Sequence, residues 1–149
     1  MSHGPTRRQK LVLAALSAGT AESFAPVQVQ KMFFLLDENI SAEFGGKQFD
    51  FEPYDYGPFD KSVYSEIDAL ISLGLVELYY VSPTPGGRRY SLSGSGRLTG
   101  QEVLQSFSPG SQQFIIEVAD WVRKLNFAQL VGSIYKAFPH MREKSIFVE

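Results

Sequence analysis

There is no cysteine among the 149 residues, and histidine occurs only as His3 and His140. That excludes a disulfide framework, a thiolate nucleophile and a cysteine-based zinc site. A chain without thiols fits a reducing compartment, and a cytoplasmic location is the expectation. Neither histidine has a second one nearby in sequence, so no metal and no cofactor is expected. No apolar run approaches the roughly 20 residues that span a bilayer, so no membrane partner is expected. Arg7-Arg8-Gln9-Lys10 ahead of Leu11–Ala18 imitates a secretory signal, but the apolar run is at the short end for one. The preferred reading is an amphipathic first helix over about 6–18, closed by Gly19. Mechanistic motifs are missing too. Gly94-Ser95-Gly96 misses the spacing of a nucleophile elbow, and Gly45-Gly46-Lys47 lacks that of a phosphate-cradling loop. Asp37 and Glu38, adjacent on a helix, point apart. The chain is therefore read as non-enzymatic.

Net charge is also small, −2, but it is unevenly spread. Residues 1–36 carry +3, residues 37–68 carry nine acids against Lys47 and Lys61, and residues 69–149 carry +2. The acidic block is either a solvated surface or a docking face that suits a basic protein and repels nucleic acid.

That block contains the most informative stretch, Phe49–Gly74. Phe49 and Phe51 alternate with Asp50 and Glu52, the period of a half-buried strand, and Pro53 marks an edge or an end. Gly57 permits a turn closed to side chains. Pro58 suits the first turn of a helix over 58–73, with Asp60 near its positive end. Phe59, Val63, Ile67, Leu70, Ile71 and Gly74 share one helical face, and Gly74 is placed as a left-handed stop. Leu75–Val81 and Arg88–Ser93 then read as two strands joined by the Pro83–Gly87 turn. Helix, glycine, strand, turn and strand is the layout of a winged helix.

Upstream, Pro26 opens a helix carrying Lys31-Met32-Phe33-Phe34-Leu35-Leu36, apolar on more than one side and so buried between neighbours. Downstream, Gly94–Gly100 reads as a polar linker, followed by a short helix over 101–107 and a break at Ser108-Pro109-Gly110. A helix over 111–125 presents Phe114, Val118, Trp121, Val122 and Leu125. Asn126 caps the next, with Leu130, Val131, Ile134 and Phe138, and Pro139 ends it. Residues 1–5 read as a loose start and His140–Glu149 as a charged tail with an Ile146-Phe147-Val148 patch. The expected fold is α+β and mainly helical: a single domain over 1–149. It has a winged-helix-like core over about 6–97, a small antiparallel β-wing, and C-terminal helices to about 145.

Three pieces now stand in order: Lys31–Leu35, then Phe51-Glu52-Pro53-Tyr54-Asp55-Tyr56-Gly57-Pro58-Phe59, then Val63-Tyr64. This order resembles the Panacea-domain superfamily, which includes phage-associated proteins and SocA-like antitoxins. Ile134–Pro139 followed by Lys144-Ser145 is similar to the tails of that group. The commoner form of the family has a tryptophan just before the Tyr-Gly-Pro step, where this chain has Asp55. The resemblance implies an α+β fold around a helical core, no catalytic residues, and an antitoxin-like or phage-defence-associated role by direct protein contact.

Two functions follow as expectations. The first is a protein-interaction module whose partner-binding residues are Tyr54, Asp55, Tyr56, Gly57, Pro58, Phe59 and Asp60; tyrosines bury area at interfaces yet keep a polar tip. Core packing is at least as good a reading of Tyr54, Tyr56 and Tyr64. The alternative is a winged-helix DNA-binding regulator that touches phosphates through Arg88, Arg89 and Arg97 on the wing and Lys61. Its difficulty is the acidic helix with Asp60, Glu66 and Asp68, since a recognition helix brings bases to the groove.

Overall fold

The computed structural model describes residues 4–19 and 23–147. Parts of three expectations lie outside them: Met1, Ser2 and His3 of the loose start, Thr20–Glu22 of the first connection, and Val148 and Glu149 of the tail. The described elements run α1 (Arg7–Ser17), α2 (Pro26–Ile40), β1 (Glu52–Tyr54), β2 (Gly57–Phe59), α3 (Lys61–Ser72), β3 (Val76–Tyr80), β4 (Arg88–Leu92), α4 (Gly94–Ser106), α5 (Pro109–Lys124) and α6 (Phe127–Ala137). The fold is thus α+β and mainly helical, with two separate two-stranded antiparallel sheets.

Local chemistry sets most boundaries. Thr6 and Gln9 form a reciprocal capping box at α1, and Asn126 and Gln129 form another at α6. Pro26 and Pro109 occupy first-turn positions of α2 and α5, where a missing N–H costs nothing. Ser108 caps α5, so the Ser-Pro-Gly step starts that helix earlier than residue 111. Gly74 sits at φ 75° just past α3, the left-handed stop read from the sequence.

Helices α1, α2 and α3 followed by the β3–β4 hairpin have the order of a winged helix. The β1–β2 hairpin is inserted before α3. The wing pairs Val76 with Leu92 through Tyr80 with Arg88. Phe24 adds a bridge outside the sheet, its N–H and carbonyl both bonded to Tyr90 (2.9 Å each). The main core joins Leu13, Met32, Phe33, Ile67, Leu70 and Ile115. A second cluster forms around Phe34, Val131, Ile134, Tyr135 and Met141. Helix α2 lies between them, Phe33 in one and Phe34 in the other, which accounts for its having more than one apolar side.

Three expectations need correction. Residues 94–100 are not a linker: they open α4, capped by the Ser93 hydroxyl at the Gly96 N–H (3.0 Å). The glycines there serve close packing. A Cβ at Gly96 would overlap the Leu75 carbonyl, and one at Gly100 would overlap the Leu13 carbonyl of α1. Arg97 accordingly stands on α4 and not on the wing. Last, α3 begins at Lys61, not at Pro58: Pro58 and Phe59 belong to β2, and the helix cap is Asp60, whose side chain accepts the Ser62 N–H (2.8 Å). An Asx cap satisfies a free amide directly, a stronger start signal than proline.

Candidate functional site: the aromatic hairpin and its cleft

The β1–β2 hairpin pairs Glu52 with Phe59, Pro53 with Pro58 and Tyr54 with Gly57, leaving Asp55-Tyr56 as the turn. Two prolines cannot donate to a ladder, so so short a hairpin needs outside support. It receives it at both ends. At the base, the Gln30 amide of α2 donates to the Asp60 carbonyl (2.9 Å) and accepts the Asp60 N–H (3.0 Å). Asp60 also takes the Asp50 N–H (2.7 Å). At the tip, the Asp55 carbonyl accepts the Ile146 N–H (2.9 Å) and the Ser145 hydroxyl (3.3 Å). The following Phe147 ring lies 5.9 Å from Phe127 and 6.4 Å from Tyr135. The approach to the hairpin is fixed by Asp37, whose carboxylate accepts the N–H groups of Gln48 (3.0 Å) and Phe49 (2.9 Å).

The expected partner-binding residues therefore divide. Gly57 and Pro58 are buried, and Asp60 is engaged as a cap. Tyr54 and Tyr56 remain 51% and 40% exposed. Tyr54 stacks on Phe59 at 4.9 Å, and Tyr56 meets Phe127 edge-on at 5.0 Å. With Asp55 they border a cleft of about 760 Å³ between the hairpin, the start of α2, the wing and the start of α6. That volume lies within the range of small-ligand sites. Arg89 lines the same cleft and donates to the Gly86 and Arg88 carbonyls (2.8 Å each). Arg88 is exposed, its guanidinium 6.0 Å from the Tyr80 ring. Lys61 is exposed at the start of α3.

Lys31 also lines the cleft, although only 3% of it is exposed. Its Nζ lies 3.5 Å from the Pro58 carbonyl oxygen. Burial pulls its pKa down to about 7, because desolvation disfavours the ammonium. Tyr64 on α3 donates to the Pro26 carbonyl (3.3 Å), and burial pushes its phenol up to about 12. Sequence reasoning had Lys31 only as part of a motif; the signal it offered was a lysine inside an apolar run. Phe127 carried no local signal, and Ser145 and Ile146 were noted in the tail without a sign that they clasp the hairpin.

Among the described residues no group of three or more histidine, aspartate and glutamate side chains is placed to hold a metal ion. Among them, too, no helix is long and apolar enough to cross a membrane. No protein-family model, curated protein or solved structure matches the chain.

Proposed function

We propose that this chain is a non-enzymatic protein-interaction module, antitoxin-like, that binds and neutralises a partner protein through the tip of the β1–β2 hairpin. The observation that carries the reading is the exposure of Tyr54 and Tyr56 on a turn held at both ends. Rigid, exposed aromatics beside a concave surface are the features on which interface energy concentrates. The resemblance of the Lys31–Leu35, Tyr54–Phe59 and Val63-Tyr64 pieces to the Panacea-domain superfamily supports the same role. Asp55, half-buried at the rim, adds a negative group that suits a basic partner.

DNA binding has weaker support. Arg8, one of the N-terminal bases, is tied to Glu66 (2.7 Å) and to the Gln48 carbonyl (2.9 Å), Arg97 stands on α4 and not on a wing strand, and α3 carries Glu66 and Asp68 against Lys61.

The test is co-expression with the product of the neighbouring open reading frame, followed by co-purification and, where that product is toxic, growth rescue. Tyr54→Ala with Tyr56→Ala is expected to weaken the complex about tenfold or more while the melting temperature holds. Asp55→Lys is expected to slow association with a basic partner. Arg88→Ala with Arg89→Ala is expected to leave the complex intact. A duplex-DNA mobility shift at physiological salt, lost with the two arginines and with a salt slope reduced by about one to two, would overturn the reading in favour of the regulator.

A further inference from the structure

Lys31 sets the problem. An ammonium has three donors, and among the described residues its hydrogen bonding is a single long contact to the Pro58 carbonyl at 3.5 Å. Close by is a second polar group short of a partner. Among the described residues, the buried Tyr135 hydroxyl has no hydrogen-bond partner. Both side chains converge under Gly57: the point a Cβ would occupy there is 3.6 Å from Lys31 Nζ and 3.3 Å from Tyr135 Cε1. Because residue 57 has no side chain, the amine comes up directly against the hairpin main chain. Buried polar groups without partners are rare in folded proteins, and each calls for an acceptor.

The lining decides what kind of acceptor. Its charged side chains are Lys31, Arg89 and Asp55, so an anion is favoured over a cation once the amine is protonated. Gln30 is held by Asp60 at both ends of its amide and also pairs with Tyr64. The rest of the wall is largely apolar: Tyr54 stacked on Phe59, Phe127 against Tyr56, and Leu130. An inorganic ion would leave that wall uncovered, and a hydrocarbon would leave the amine unmatched.

We propose that the cleft under the Tyr54–Phe59 hairpin is a binding site for a carboxylate joined to a ring-sized apolar body. The carboxylate seats at Lys31, and the body lies along the hairpin aromatics and Phe127. The same chemistry is offered by a free aromatic acid and by the C-terminus of a peptide ending in an aromatic residue. The site goes beyond the partner contact proposed above. A failed co-purification leaves it standing, and a failed titration leaves the co-purification standing.

Affinity should follow the protonation of Lys31. The titratable groups lining the cleft with it are Tyr54, Asp55 and Tyr56 on the hairpin, Tyr64 on α3 and Arg89 on β4; Tyr135 on α6 lies beside it with the Arg142 guanidinium 5.2 Å from its ring, and Asp37 stands further along its own helix. Asp37 is already bonded to Gln48 and Phe49. Lys31, with its pKa near 7, changes charge between pH 6 and pH 9. A carboxylate that binds the ammonium is held more weakly as the amine deprotonates.

The experiment is calorimetric titration of the full chain with 3-phenylpropionate and with 3-phenylpropionamide. In parallel, an N-acetylated peptide ending in phenylalanine is titrated with its C-terminus free or amidated. At pH 6 at least one acid is expected to bind about ten- to a hundredfold more tightly than its amide, the worth of a charge-assisted hydrogen bond. Which acid binds identifies the source. Raising the pH to 9 should weaken the acid about tenfold or more and leave the amide unchanged. Lys31→Met, which fills the same space without a charge, should stay folded by melting temperature and lose the preference for the acid. Tyr54→Ala, at an exposed position, should weaken acid and amide alike. Equal binding of acid and amide, an acid preference that survives Lys31→Met, or no binding of either acid to folded wild type at millimolar concentration would each overturn the proposal.

Discussion

Gly57 is the residue at which the hairpin is most exposed to perturbation. Its φ of 105° lies in a region that residues with a side chain rarely adopt. Holding alanine there costs about 1–3 kcal/mol of backbone strain. The new methyl would also sit 3.3 Å from Tyr135 Cε1, tighter than ordinary contact, with the Lys31 Nζ and Cε atoms at 3.6 and 3.7 Å. Valine adds two more methyl groups to this closed space, and overpacking costs about 1–3 kcal/mol more. Gly57→Val should therefore destabilise by about 2–6 kcal/mol, and Gly57→Ala by about 1–3. For a chain of this length each 1 kcal/mol lowers the melting temperature by about 2–4 °C. The two terms separate by comparison with Gly46→Ala. Gly46 has φ 129° but open space around its Cβ position, so that variant reports strain without packing. Melting followed by calorimetry and urea denaturation would give both numbers. A Gly57→Val variant that melts within about 1 °C of wild type would refute the reasoning. So would one no worse than Gly46→Ala, which would leave no packing term.

Three further outcomes are expected. Ile67→Ala removes a fully buried side chain between α3 and the core and should cost about 2–5 kcal/mol in urea denaturation, with an unchanged m-value. Gly100→Ala should lever α4 off the Leu13 carbonyl of α1 and lower stability by about 1–3 kcal/mol, whereas a true linker glycine would tolerate the change. Lys31 gives a pH dependence: with its folded pKa near 7 and its unfolded value at 10.5, the unfolded chain binds the extra proton between those values. Its contribution to stability should therefore rise with pH across that window, by at most about 1.4 kcal/mol per unit, and Lys31→Met should remove that rise.

The helices with apolar stripes and end signals were legible. Gly74, Asn126 and the Leu130–Ile134 stripe each stand where local chemistry placed them, because one capping side chain or one left-handed glycine decides the boundary. The wing was legible for the same reason, as two β-rich runs about a glycine turn. Residues 94–100 were not, since Gly94, Gly96 and Gly100 have low helix propensity and read as loop. What overrides it is tertiary: Gly96 and Gly100 let α4 lie directly on the Leu75 and Leu13 carbonyls. Pro58 misled because proline signals a helix start and a hairpin edge alike. A three-residue strand is too short for periodicity to separate the two, and the Asp60 cap settles it.

The cleft was legible only in part, because its walls come from five distant stretches: Gln30 and Lys31, the 54–59 hairpin, Tyr64, Arg89, and Phe127. No window of sequence brings these together. The seven hairpin residues were found as a motif, but their division into outward-facing tyrosines and buried supports depends on Gln30 and on the Ile146 clasp. Lys31 is where the two levels of description meet. A methionine at 31 would fill the same space, and replacing a buried charge by an apolar group of similar shape is often stabilising. A lysine there, with a single long hydrogen bond among the described residues, is expected to lower the stability of the fold at neutral pH relative to methionine. Gly57, the residue type that accepts this turn, stands directly above it and leaves room for the amine. A buried lysine with so little hydrogen bonding, at the floor of a cleft rimmed by exposed tyrosines, has no account in packing alone. Departures of this kind collect at functional sites, which supports the site proposed under the hairpin.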